Sequence, residues 1–340
     1  MASLRDSVKD YQEELRDGIA WVAFWKEGRS WNAELFHLEV DGTLEPFDRS
    51  RLEEIKAADP AAVILNGYYC GHLGENMSLD ELTAGVRHHY KNGTNDVAGF
   101  IEAHDDRLPP ELIEEARKNV AKKLSCEADE IYFTSGGTES NNIAVFGAAH
   151  AYRSKGMRII TTSIEHPSVE EPFKQLEMQG YDVVRLNVDS EGRFDERQLY
   201  AAVNTSTSLI SIMAVNNEVG TIQAVEKARI AVKKFNAPAL IHCDAVQAFG
   251  KIPLKPYAMG VDLMTISSHK IHGPKGAGAL FIKKGSRLAH HVFGGGQEHG
   301  IRPGTEPLPA IAGFGAAADA LPDLSIQLAK TAALRDYMLE

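Results

Sequence analysis

The chain has 340 residues, room for about two domains at ~100–200 residues each, and its 44% hydrophobic and 24% charged residues exclude a disordered or collagen-like chain. Three cysteines, Cys70, Cys126 and Cys243, form no C-x-x-C pair, which excludes a disulfide framework and a structural zinc site and fits a reducing compartment. The formal net charge of −11 is uneven, with 21 Asp/Glu against 11 Lys/Arg in residues 1–110; so acidic a first module argues against phosphate-mediated binding of nucleic acid.

The first residues alternate charge instead of building an apolar signal core, and no run of eighteen apolar residues occurs. The expectation is a cytoplasmic chain that does not insert into a membrane. Residues 3–16 suit a helix, 19–25 and 31–40 suit strands joined by the turn Glu27-Gly28-Arg29-Ser30, and 50–58 and 79–90 suit helices. This is a small α+β module, assigned to residues 1–107. Its His88-His89 pair and Tyr68-Tyr69-Cys70 run do not form a metal site, because adjacent residues on a helix diverge and no second ligand pair stands at usable spacing.

Leu108-Pro109-Pro110 marks the junction, since two prolines stop a helix and suit the first turn of the next. From 108 to 340 the pattern becomes helix 111–124, strand 131–134, helix 140–154, strand 158–162, helix 167–179, strand 182–187, helix 196–203, strand 208–214, helix 224–235, and strands 239–243, 262–266 and 278–282. Such alternation predicts an α/β domain with a mostly parallel sheet flanked by helices. Ligands of such sheets sit at the carboxyl ends of the strands.

Three strand ends carry chemistry. After strand 131–134 comes Ser135-Gly136-Gly137-Thr138, a glycine turn opening a helix, whose free N–H groups suit a phosphate. It is neither a dinucleotide fingerprint nor a P-loop. Strand 239–243 ends at Asp244, a carboxylate that needs a cationic partner if buried, and a protonated pyridine nitrogen is one. Strand 262–266 leads into Ser267-Ser268-His269-Lys270, where the lysine is placed to form a Schiff base. Taken singly, Lys270 reads as a surface lysine, Asn217 as a turn residue and His166 before Pro167 as a helix cap.

Six stretches taken together are specific: Phe133-Thr-Ser-Gly-Gly-Thr-Glu-Ser-Asn-Asn142, Glu165-His-Pro-Ser-Val169, Asn216-Asn-Glu-Val-Gly-Thr221, His242-Cys-Asp-Ala-Val-Gln247, Ser267-Ser-His-Lys270 with Gly273-Pro-Lys-Gly276, and Gly294-Gly-Gly-Gln-Glu-His-Gly-Ile-Arg-Pro-Gly-Thr305. In order and spacing, residues 111–335 resemble the cysteine desulfurases, class V aminotransferase-like enzymes of fold type I that depend on pyridoxal 5'-phosphate (PLP). The resemblance implies that Lys270 holds PLP covalently and shuttles a proton at the substrate α-carbon, that Asp244 pairs with the pyridinium, and that Gln247 hydrogen-bonds the phenolic oxygen beside Asn217. It implies that His166 stacks on the ring, and that Gly137, Thr138, Ser267 and His269 form the phosphate end of the site. Thr305 then reaches the PLP phosphate of a second subunit, which implies a homodimer. The implied reaction converts L-cysteine to L-alanine and passes sulfur as a persulfide to an acceptor protein, as in iron–sulfur cluster assembly.

In that family the sulfur-abstracting cysteine lies in a mobile loop of a C-terminal small domain, downstream of the lysine. Here the last cysteine, Cys243, precedes Lys270, and Glu340 falls within what reads as the helix leading to that domain. The opening signatures of the family are likewise not found in residues 1–110. Cys243 points away from the Asp244 face, and Cys126 has acidic neighbours that raise a thiol pKa. The expectation is therefore a PLP-binding large domain, truncated before the small domain, whose desulfuration is in doubt. Two alternatives are a PLP enzyme of transamination or β-elimination type, and a non-catalytic remnant fused to a partner-binding module.

Overall fold

The structure, a computed structural model, describes residues 20–27, 30–37, 51, 54, 55, 57, 63–66 and 111–339. The chain divides into two compact units, Met1–Met77 and Ser78–Glu340. The junction expected at 107/108, the helices expected at 3–16 and 79–90, His88, His89 and Cys70 all lie outside the described residues.

In the first unit, β1 (Ala20–Glu27) and β2 (Ser30–His37) pair antiparallel with Glu27 opposite Ser30, the register of a two-residue hairpin. A third strand, β3 (Val63–Asn66), pairs antiparallel with the other edge of β1; sequence patterning did not single it out. Arg51, Glu54, Ile55 and Ala57 are helical, as expected for 50–58. Arg51 pairs with Glu34 of β2 at 3.2 Å, and Ile55 is buried.

The second unit is a seven-stranded sheet with helices. In chain order its elements are α1 (Leu112–Leu124), β4 (Ile131–Thr134), α2 (Gly137–Ala151), β5 (Arg158–Thr162), α3 (Pro167–Met178), β6 (Asp182–Leu186), α4 (Glu196–Ala202), β7 (Thr207–Ser211), α5 (Glu226–Lys234), β8 (Leu240–Asp244), α6 (Pro256–Met259), β9 (Leu263–Ser267), β10 (Gly278–Ile282), α7 (Leu308–Ala320) and α8 (Leu324–Leu339). The strand order is β4-β10-β9-β8-β7-β5-β6, and β10 alone runs antiparallel to its neighbours. Strands β7, β8 and β9 are buried along their whole length, the state of parallel strands covered on both faces, and their buried polar residues include Ser211, His242, Asp244, Thr265 and Ser267.

Ile143, Val169, Phe173, Leu209, Leu263 and Leu280 anchor one core between helices and sheet. Helix α7 packs on α1, where Gly315 lies against Ala116 with no room for a side chain. Both helices end in left-handed or proline-bounded turns; α1 stops at Ser125, φ 55°. Helix α2 begins at Gly137 and ends at Ala151, three residues ahead of the expected span 140–154, because the glycine turn itself supplies its first turn. Strand β7 ends at Ser211, short of the expected 214, although Ile212 N and Ala214 N still donate to the carbonyls of His242 and Asp244 in β8 at 3.1 and 2.8 Å. No helix among the described residues is long and apolar enough to cross a membrane.

Candidate active site

The carboxyl ends of β4, β5, β7, β8 and β9 converge on a cleft of about 390 Å³ lined by Gly137, Thr138, His166, Asn217, Asp244, Gln247, His269 and Lys270, together with Ser168, Met213, Val215 and Val246. Eight of the ten residues singled out from sequence thus share one cavity. The other two are close in chain but not in its lining. Ser267 is buried at the end of β9, with its hydroxyl 2.8 Å from Nδ1 of His269, and Thr305 is exposed on the 294–305 segment.

The glycine turn fits closely. A side chain at Gly137 would meet Val246 Cγ2 at 2.7 Å, and one at Gly278 of β10 would meet the Gly136 backbone at 2.6 Å. Only glycine lets the turn lie against both strands, so that the N-terminus of the fifteen-residue helix α2 opens on the cleft with its unpaired N–H groups.

In the same cleft Asp244 is 5% exposed. Its Oδ1 accepts from Val246 N (3.0 Å) and its Oδ2 from Asn141 Nδ2 (2.8 Å). Burial raises its pKa against those two hydrogen bonds and the nearby His166, because no cation among the described residues pairs with it. The same Asn141 amide donates to Ser168 Oγ at 2.8 Å, and that hydroxyl lies 2.7 Å from Nδ1 of His166. Ser168 N also donates to Nδ1 at 3.1 Å. With its amide and hydroxyl both directed at Nδ1, the histidine carries its proton on Nε2. His166 therefore caps α3 and lines the cleft at once; the two roles weighed from sequence are not exclusive.

The asparagine pair divides its work. Asn216 builds the turn, its Oδ1 accepting from Glu218 N (3.0 Å) and Val219 N (2.9 Å), which leaves Asn217 to line the cleft. Lys270 sits in the 3-10 turn Ser268–Ile271 directly after β9, with His269 and Lys251 near it. Burial and then Lys270 lower the pKa of Lys251, and burial followed by Lys270, Lys275 and Lys251 lowers that of His269. The cleft thus brings cationic side chains and a buried carboxyl together. Lys251 donates from Nζ to Gln247 Oε1 at 3.3 Å.

Beside this site, Glu165 ties the strand ends together. Its Oε1 accepts from Thr162 Oγ1 (2.7 Å) and Met213 N (2.9 Å), and its Oε2 has no hydrogen-bond partner. Burial pushes its pKa up to about 8 despite those two bonds. Between its ordinary value of 4.5 and about 8, the folded chain holds a proton that the unfolded chain has lost. Stability conferred by this group is therefore complete below pH 4.5 and falls as pH rises through 8, by up to about 1.4 kcal/mol per unit. Glu165→Gln is expected to abolish that slope, so that urea denaturation at several pH values would show the wild type losing ground to the variant as pH rises. Parallel curves would refute the assignment.

The 294–305 segment is pinned twice. Glu298, in left-handed backbone at φ 45°, reaches into the protein, where Arg117 of α1 grips both its oxygens at 2.8 Å and Phe133 N of β4 donates at 2.7 Å. Arg302 pairs with Glu139 of α2 at 3.3 Å. Asn141, Ser168, Arg117 and Glu298 had no role assigned from sequence. Asn141 falls one helical turn after Thr138, a spacing that puts both on one face, and that was the available signal. Neither described cysteine is an activated thiol: burial, then Glu130 and Glu127, push Cys126 up to about 12, and burial raises Cys243 well above its ordinary value.

The aminotransferase class-V family pattern matches residues 87–340, and the pattern named large polyvalent-protein-associated domain 15 matches residues 2–100. The cysteine desulfurase IscS of Dictyoglomus turgidum is 44% identical over 237 residues, which are 69% of this chain and 60% of that protein. The other curated relatives are spanned over about half their length. Among solved structures, a NifS-like protein superposes with a TM-score of 0.65 at 43% identity, covering 67% of this chain and 63% of its own. A structure of SspA in complex with cysteine gives 0.60 at 36% identity, covering 66% and 65%. The mostly parallel sheet flanked by helices is the fold type I architecture of these PLP-dependent proteins. By sequence and by fold, the chain belongs to the cysteine desulfurase family of class-V aminotransferases.

Proposed function

We propose that this chain binds PLP in the cleft and acts on L-cysteine at its α-carbon. One observation carries the reading: a single cleft is lined by a buried carboxyl, by the first residues of a helix, and by His269 and Lys270. That donor set matches a molecule with a protonated ring nitrogen and a phosphate. Asp244 holds the ring nitrogen. The N–H groups at Gly137 and Thr138 bind the phosphate with Ser267 and His269. His166 covers a ring face, and Asn217 and Gln247 flank the phenolic oxygen. When bound, PLP supplies an electron sink for the pair left at the α-carbon.

Lys270 Nζ would be the amine that holds the cofactor, and it would be the group that moves the proton at the substrate α-carbon. Exposed Thr305 is offered to a second copy, which supports a homodimer. Desulfuration in full converts L-cysteine and a thiol into L-alanine and a persulfide, and the raised pKa values of Cys126 and Cys243 support a thiol other than these two as the acceptor. Transamination and β-elimination would use the same Lys270 and Asp244.

The test uses the full chain incubated with PLP and desalted. A visible absorption band is expected, and L-cysteine in D2O should lose its α-proton signal in the NMR spectrum. A colourless protein would overturn the reading, and a persulfide on Cys126 or Cys243 would overturn the assignment of the thiol.

A further inference from the structure

We infer that Lys251 is a positioning residue for the cofactor, one that fixes which end of the Gln247 amide faces the cleft. The inference rests on the proposed binding of PLP. Lysine has three donors and no acceptor, so the group within 3.3 Å of Nζ must be the carbonyl oxygen of Gln247. The two N–H bonds of the amide are then left for the cleft that Gln247 lines. An amide turned this way donates to an anionic oxygen; turned the other way it would repel one. Gln247 alone has no means of choosing.

The local backbone makes the pairing. Lys251 follows Gln247 by four residues in the turn after β8, where Lys251 N donates to Ala248 O at 3.0 Å, and Gly250 takes φ 73°. A side chain at 250 would meet Ile271 at 2.7 Å and Leu321 at 2.8 Å, so the turn is held tightly against its neighbours. No carboxylate among the described residues pairs with Lys251. The charged groups facing it belong to the segment after β9: Lys270, with His269 and Lys275 beyond. Lys251 itself is exposed, and partial burial together with Lys270 lowers its pKa, against the stabilisation that the Gln247 carbonyl gives the ammonium.

The consequence concerns the phenolic oxygen that Gln247 approaches. Oriented N–H donors stabilise its anionic form, and hydrogen bonding to the charged form lowers the pKa of the group that bears it. In Lys251→Met the amide loses its anchor, and the oxygen becomes more basic.

The experiment is a pH titration of the visible band of the full chain loaded with PLP. Lys251→Met is expected to raise the midpoint by about one unit, a tenfold change in proton affinity. Lys251→Arg, which keeps a cationic donor, should return it towards the wild-type value. In a Gln247→Leu background, Lys251→Met should no longer move the midpoint. A circular dichroism melt on each variant verifies that it is folded. Coincident midpoints for wild type and Lys251→Met would overturn the inference, as would an equal shift in the Gln247→Leu background, which would mean a direct field instead of an oriented amide. A wild type with no visible band would overturn the function proposed above and this inference with it, and is told apart from those outcomes by its lack of colour.

Discussion

Lys270→Ala is expected to lose the visible band on desalting and to slow α-proton exchange of L-cysteine by about 10²–10⁴-fold, the range for a positioned general base. The substitution removes two functions of one amine. In the function proposed above, Nζ would both hold the cofactor and carry the proton. The rest of the site stays in place, because Asp244, Asn141, Ser168 and His166 hold one another through bonds of 2.7–3.1 Å that do not involve Lys270. Non-covalent binding of PLP should therefore persist in equilibrium dialysis while the covalent band is gone. A variant that kept its band would shift the attachment to Lys251 or Lys275, the lysines beside His269. Equal exchange rates in the two proteins would remove Lys270 from proton transfer.

The second large effect is on stability. Glu298 and Arg117 have side chains only 1% and 6% exposed, and between them Glu298 satisfies two guanidinium donors and the Phe133 amide. Glu298→Gln puts an amide NH2 against those donors and leaves the buried Arg117 with the exposed Glu114, at 3.0 Å, as its remaining carboxylate partner. Breaking such a pair from one side costs about 3–5 kcal/mol. Urea denaturation should show a loss of that size. Arg117→Met with Glu298→Met should recover part of it, since apolar replacement of both partners removes the buried charge. A loss under about 1 kcal/mol, the worth of an exposed pair, would mean that water reaches the site.

What was legible in the sequence follows from the range of the interactions involved. Gly137, Asp244 and Lys270 each follow a strand, and strand ends in an α/β sheet are where ligands bind, so position drew attention to them and the six stretches together made the reading specific. Asn141 and Ser168 were hidden because their partners are distant in chain; Asn141 bonds Asp244 across 103 positions. Glu298 read as one letter of a glycine-rich motif, since its partner Arg117 stands 181 residues away. Helix α7 was missed for a different reason. Its sequence, Leu-Pro-Ala-Ile-Ala-Gly-Phe-Gly-Ala-Ala-Ala-Asp-Ala, is buried from Ile311 to Ala318, and a helix covered on all sides carries no amphipathic period. Strand β3, at four residues, was too short to show an alternation.

The antiparallel strand β10 sets an order on how the molecule can assemble. Strand β4, which delivers Gly137 and Thr138, bonds only to β10, and β10 lies at residues 278–282. The parallel strands β5 to β8 can pair among themselves before that segment exists. During synthesis, then, β4, which leads into the helix N-terminus proposed to bind the phosphate, has no strand to pair with until the chain has been made through residue 282. Contacts this remote in sequence are slow to close. In refolding, recovery of the far-ultraviolet signal should run ahead of recovery of PLP capture, with β10 docking as the step between them.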